Sequence, residues 1–186
     1  MRRLAIALVH YPVLDGKRDV VTTAITNLDV HDLARSARTY GCTDYFVVHP
    51  ITAQRELVAK ICDHWTNGSS GARIPDRKIA LSLVRVVPSL DDAVAALGGR
   101  GAVEVWITAA RHVAPPVTLA EARARLEGEG GPVLLVFGTG WGLAPEVVAR
   151  ADQTLEPVRA AMNADYNHLS VRAACAIILD RLRGAR

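Results

Sequence analysis

Three glycines alternate at the end of an apolar run, Pro132-Val133-Leu134-Leu135-Val136-Phe137-Gly138-Thr139-Gly140-Trp141-Gly142-Leu143. With no Cβ in the way, backbone there can turn tightly and come close to a ligand. Recognition would then fall to peptide N–H and C=O groups rather than to charged side chains. The run itself reads as a strand buried on both faces, and ligands of open α/β sheets bind beyond the carboxyl ends of such strands. Gly142→Val is therefore expected to fill the binding space. Taken alone, the pattern is equally a tight strand-to-helix turn. A dinucleotide fold would place it after the first strand, with an acidic residue about 20 positions on. Here it follows roughly the fifth strand, which disfavours a nucleotide-dependent oxidoreductase.

The histidines offer a second chemistry. His10 and His49 fall just past expected strand ends, where they could contact a ligand or assist proton transfer. His31, His64, His112 and His168 show no metal-ligand spacing, and structural hydrogen bonds or exposure are the simpler reading of each. No metal is expected. Tyr11, Trp65 and Trp141 could stack on bases. For Trp65 a place in the core is an equal alternative, and Trp141, inside the glycine loop, is the better functional candidate.

Positioning these residues requires alternating strands and helices. Strands are expected over 4–9, 44–48, 83–87, 102–108, 132–138 and near 154–155. Asn27 or Asp29 would cap a helix to about Tyr40, with Gly41 as its left-handed stop. Further helices are expected from Thr52 to about His64, from Ser89 to Leu97, from Thr118, from Ala144, and from about Leu169 to Arg183. Ser89 with Asp92 and Thr118 with Glu121 have capping-box spacing. The tract Thr66-Asn67-Gly68-Ser69-Ser70-Gly71-Ala72 reads as an exposed loop. Such alternation predicts an α/β fold, a three-layer sandwich around a parallel sheet, within a single domain over 1–186.

Composition sets only broad bounds. The 186 residues carry a net charge of +3 and are 50% apolar, enough for one sizeable core. That charge permits a nucleic-acid partner without arguing for one. Cys42, Cys62 and Cys175 are scattered and odd in number, unlike a secreted disulfide framework. The apolar stretch after Arg2-Arg3 is too short for a membrane span. A cytoplasmic protein without a membrane partner is expected.

Two C-terminal tracts carry a resemblance. Residues 137–143 and Tyr166-Asn167-His168-Leu169-Ser170-Val171 resemble the last two motifs of the SPOUT class of RNA methyltransferases. Residues 26–41 look like the first motif of its ribose-methylating branch. His10-Tyr11-Pro12-Val13, Val20-Val21-Thr22-Thr23-Ala24 and Asp76-Arg77-Lys78 extend the likeness over nearly the whole chain, to a small stand-alone bacterial family of SAM-dependent RNA methyltransferases.

The resemblance implies a C-terminal deep trefoil knot, a feature otherwise almost absent from proteins. It implies S-adenosyl-L-methionine as cofactor, RNA as substrate (transfer or ribosomal) and a homodimer. The cofactor pocket would be formed by Thr108 and Ala109, by Phe137, Gly138, Thr139, Gly140, Trp141, Gly142 and Leu143, and by Leu155, Pro157, Val158, Asn167, His168, Leu169 and Ser170. Leu143, Leu155 and Leu169 would wall the adenine. Arg35 would be the catalytic or substrate-orienting residue, acting at the partner subunit's pocket. A surface ion pair with Asp32 is its structural alternative. Asp165 could serve as a base or be a solvated loop residue, and Asn167 could bind cofactor, cap the last helix, or do both. Many relatives carry Glu at the place of Gly140, and the motif here is one residue shorter, so base and ribose methylation both stay open. A catalytically inactive knotted protein that binds RNA or SAM is the alternative function.

Overall fold

The computed structural model describes residues 1–110, 115–162 and 166–185. Six strands form one sheet in the order β5 (Val84–Val87), β4 (Tyr45–Val48), β1 (Leu4–Val9), β7 (Val133–Gly138), β6 (Glu104–Ile107) and β8 (Gln153–Thr154). Every pairing in it is parallel. The two central strands pair over their full length, from Leu4 opposite Val133 to Val9 opposite Gly138.

Strand alternation decides which layer each side chain joins. In β1, Leu4, Ile6 and Leu8 enter the larger core, while Ala5, Ala7 and Val9 enter the smaller one. In β7, Val133, Leu135 and Phe137 face the first core, and Leu134 and Val136 face the second. The larger core is covered by α1 (Asn27–Thr39), α2 (Thr52–Thr66), α4 (Pro75–Leu81), α6 (Leu119–Glu127) and α8 (Val171–Arg183). The smaller core lies under α5 (Leu90–Ala96) and α7 (Pro145–Val148). The expected three-layer sandwich is present.

Local signals account for most helix ends. Both capping boxes form, Ser89 with Asp92 on α5 and Thr118 with Glu121 on α6. Gly41 follows α1 with φ +69°. The two expected caps of α1, Asn27 and Asp29, lie one and three residues too far along. Thr26 is the N-cap, and its hydroxyl accepts the N–H of Asp29, which sits in the first turn. Likewise Ser170 caps α8, accepting from the Ala173 N–H, so the helix starts at Val171.

Two local expectations fail. The tract 66–72 is not an open loop: α2 runs to Thr66, and a short helix, α3 (Ser69–Arg73), follows. Its glycines serve close packing, since a Cβ on Gly71 would lie 2.2 Å from the Trp65 carbonyl oxygen. The second is a missed hairpin. β2 (Val13–Leu14) and β3 (Val20–Val21) pair antiparallel, and Val13 also bridges Leu143. Asp15-Gly16 between β-branched residues was the available hairpin signal.

Candidate cofactor cavity

A cavity of about 940 Å³ opens beyond the carboxyl ends of β6 and β7. Three separated stretches of its wall carry residues expected there. Thr108 and Ala109 follow β6. Phe137, Gly138, Thr139, Gly140, Trp141, Gly142 and Leu143 form the glycine loop. Val158, Asn167, His168, Leu169 and Ser170 lead into α8. Of the expected pocket residues only Leu155 and Pro157 do not line it. Leu155 is 1% exposed and belongs to the larger core. Its N–H donates to the Ile107 carbonyl and its backbone bridges Val117, so the register of β8 turns it inward. Pro157 is buried as well. Of the three leucines expected as apolar walls, Leu143 and Leu169 line the cavity and Leu155 does not.

The glycine loop is held by the hairpin. Trp141 N–H donates to the Leu14 carbonyl (2.8 Å), and Leu14 N–H donates to the Gly142 carbonyl (2.9 Å). This contact leaves no room for a side chain at Gly140, where φ is +58° and a Cβ would lie 2.7 Å from the Leu14 oxygen. Gly142 differs. Its φ of +106° disfavours an L side chain, but a Cβ there meets nothing within 4 Å. At Gly140 a side chain would collide with the protein itself, whereas at Gly142 it would meet a strained φ and open space along the cavity wall. The Trp141 ring rests against Gly16 at the hairpin turn and meets His168 edge-on at 6.4 Å.

Behind the loop lies a polar chain that the sequence did not disclose. Thr139 Oγ1 donates to the Val9 carbonyl (3.1 Å) and lies 2.5 Å from Thr23 Oγ1. Thr23 Oγ1 in turn lies 3.0 Å from His10 Nδ1. With the Thr139 proton committed to Val9, Thr23 donates to Thr139 and accepts from His10 Nδ1–H. His49 takes the opposite tautomer: its Nδ1 accepts the Ile51 N–H, and its Nε2–H donates to the Thr23 carbonyl. Both imidazoles are fully buried, with ring centroids 5.5 Å apart. Burial first, and then the neighbouring His49, lowers the His10 pKa to about 4. His10 Nε2 has no hydrogen-bond partner among the described residues. These histidines therefore clamp β1, β4 and the loop together, and neither reaches the surface to contact a ligand.

Other cavity residues escaped the sequence reading: Leu14 and Arg18 from the hairpin, Thr23 and Ala24 after it, Asp29 on α1 and Arg172 on α8. Asn167 lines the cavity but does not cap α8, a role that Ser170 holds. Arg35 lies exposed on α1 and does not line the cavity of its own protomer. Nor is it the partner of Asp32, whose Oδ2 lies 3.6 Å from Arg172 Nε. Asp165 and His112 fall outside the described residues. Among the described residues, no group of three or more His, Cys, Asp or Glu could hold a metal ion, and no helix is long and apolar enough to cross a membrane.

A cavity at the carboxyl ends of a parallel sheet, walled by a glycine loop and by the entry to the last helix, defines a nucleotide- or nucleoside-binding α/β protein. A profile of the SAM-dependent RNA methyltransferases matches residues 3–184, and the chain belongs to that family. It is 45% identical over 184 residues to a tRNA (guanine-N(1)-)-methyltransferase of Nitratidesulfovibrio vulgaris, covering 98% of this chain and 42% of that protein. An uncharacterized protein of Aquifex aeolicus is 38% identical, with 95% of this chain and 86% of that one covered. The chain thus spans about two fifths of the N. vulgaris relative's length. Solved structures share the SPOUT fold. TrmJ from Z. mobilis superposes with a TM-score of 0.59 at 22% identity, over 98% of this chain and 69% of that one. The SpoU methyltransferase AviRb from Streptomyces viridochromogenes, solved with AdoMet, gives 0.59 at 16% identity, over 97% and 56%.

Proposed function

We propose that this chain transfers a methyl group from SAM, held in the 940 Å³ cavity, to RNA presented at a dimer interface. One observation carries the reading: residues from three distant stretches, expected to hold the cofactor, line a single cavity. The residues fit that group. Leu143, Val158 and Leu169 offer apolar faces for an adenine, Thr108 and Asn167 offer polar edges, and the open space beside Gly142 admits a ligand close to the backbone. When bound, the cofactor supplies an electrophilic methyl group.

The chain's own task is placement. Holding the nucleophilic RNA atom in line with the methyl is worth on the order of 7–11 kcal/mol of barrier, with no covalent intermediate required. Arg35, turned away from its own cavity, would orient the RNA at the partner subunit's cavity in a homodimer. A trefoil knot that threads α8 past residues 137–143 would explain how these segments come to share one cavity. Transfer RNA is the first substrate to test, because the N. vulgaris relative carries it in its name. The guanine N1 chemistry in that name describes a protein more than twice as long, and is not carried over. A cytoplasmic site of action follows from such a substrate.

Calorimetric titration with SAM, with NADH as control, tests the cavity. Micromolar SAM binding at one site per protomer is the expected result, and absence of binding overturns the reading. Binding without transfer to any RNA would instead favour an inactive RNA- or SAM-binding protein.

A further inference from the structure

On the outer side of α1 lies a second, shallower depression of about 600 Å³, bounded by α1, α2 and α4. Its wall contains a built stack. The Arg77 guanidinium carbon sits 4.6 Å from the centroid of the Trp65 ring, while His31 and His64 meet that ring edge-on at 5.5 and 5.6 Å. A guanidinium held over an indole is partly positioned before any ligand arrives, and such a group can also stack with a planar ligand. Lys60 and Arg35, both exposed, flank it. Among the residues lining the depression Asp32 brings the one carboxylate, and that group faces Arg172 Nε on α8. His31 adds no further positive charge, because burial and then the neighbouring Arg77 lower its pKa. Its Nδ1 is buried without a partner among the described residues.

Three cations, a stacking platform and almost no opposing charge suit one ligand chemistry. The geometry points to a single-stranded RNA site here, separate from the cofactor cavity: phosphates at Lys60 and Arg35, and a base on the outer face of Arg77. An acidic protein surface would use the charges but not the guanidinium held over the indole. The site deepens the RNA methyltransferase reading and rests on it. It shares Arg35 with the proposed route to the partner's cavity, so a strand held here would lead toward the reacting nucleotide.

Filter binding of unfractionated bacterial tRNA across a salt series tests the site, with SAM affinity and thermal unfolding measured in parallel. One lost single-strand phosphate contact and one lost base platform, each about 5-fold at about 0.1 M salt, should lower the affinity of Lys60→Ser/Arg77→Ser by about 25-fold and flatten the log–log salt slope by about 0.7. Lys60→Ser alone, which disturbs no stack, should give the same change in slope with only about a 5-fold loss of affinity. Arg77→Lys should keep the slope and lose affinity, because the charge stays and the platform goes. Arg125→Ser, on α6 beyond α8, is the charge control and should match wild type. SAM affinity should be unchanged throughout. Wild-type tRNA binding that the double substitution leaves intact overturns the site and leaves the RNA reading standing. If the wild type binds SAM but no tRNA, both fall.

Discussion

Arg172 Nη1 lies 2.7 Å from Asp29 Oδ1, joining the first turn of α8 to the first turn of α1 at the wall of the cavity proposed to hold the cofactor. The two residues are 143 positions apart, and the Asp29 side chain is only 8% exposed. Asp29 also closes the cap of α1 through its own N–H. The pair therefore fixes how the last helix sits over the site.

Arg172→Leu should leave the Asp29 carboxylate without its guanidinium. A hydrogen bond to a charged group is worth about 1.5–3 kcal/mol, and the lower half of that range is expected because Arg172 is partly solvated. Urea unfolding would read the loss, and SAM affinity should fall with it. Replacing both residues, Asp29→Leu with Arg172→Leu, should recover part of the stability, since no carboxylate is then left unpaired.

Gly140→Ala should weaken SAM binding more than Gly142→Ala. At Gly140 the new methyl meets backbone oxygen of the hairpin at 2.7 Å, so loop and hairpin must separate. At Gly142 no protein atom opposes it: the strained φ costs of order 1–3 kcal/mol on folding, and the single methyl takes only a small part of the open space beside the backbone. Calorimetry against thermal unfolding separates the two effects.

Acid should destabilise the protein through His10. Its folded pKa of about 4 lies below the ordinary 6.5, so between those values the unfolded chain binds the extra proton. Stability should therefore rise with pH through that window and be complete above about 6.5, with a total swing of about 3 kcal/mol. His31 and His49 shift in the same direction. Urea midpoints at pH 4.5 and 7 measure the effect, and His10→Asn, which does not titrate, should flatten the profile.

Arg35→Ala should abolish transfer and leave SAM binding intact. Mixing it with Gly140→Ala, each inactive alone, tests action across the dimer. If Arg35 serves the partner's cavity, exchanged heterodimers hold one competent site, and about a quarter of wild-type activity returns for a freely mixing symmetric dimer. No recovery after verified subunit exchange would rule out action of Arg35 at the partner's cavity.

What was legible in the sequence was local. The glycine loop after a buried run, the capping boxes at Ser89 and Thr118, and Gly41 after α1 each depend on a few neighbouring residues. Pairings across the fold were not legible. Asp29 with Arg172, and Thr23 with Thr139, 116 positions apart, leave no spacing to read. Elements of two residues are too short for periodicity, which is why β2 and β3 were missed and why β8, one position out of place, left Leu155 on the wrong side. The histidines looked available because strand ends usually face ligands; only the packed hairpin beneath the loop shows that His10 and His49 are enclosed.

The pairing of Leu4 with Val133 bears on how the molecule is made. During synthesis β1 can zip against β4 early, but its opposite edge waits until β7 has cleared the ribosome. For that interval a fully apolar strand offers open backbone groups to any passing chain, the arrangement most prone to misassembly. The cavity is later still, because α8 closes it. Cofactor can therefore stabilise the finished fold but not guide the nascent one, and a slow stage in biogenesis belongs to this long-range pairing rather than to ligand capture.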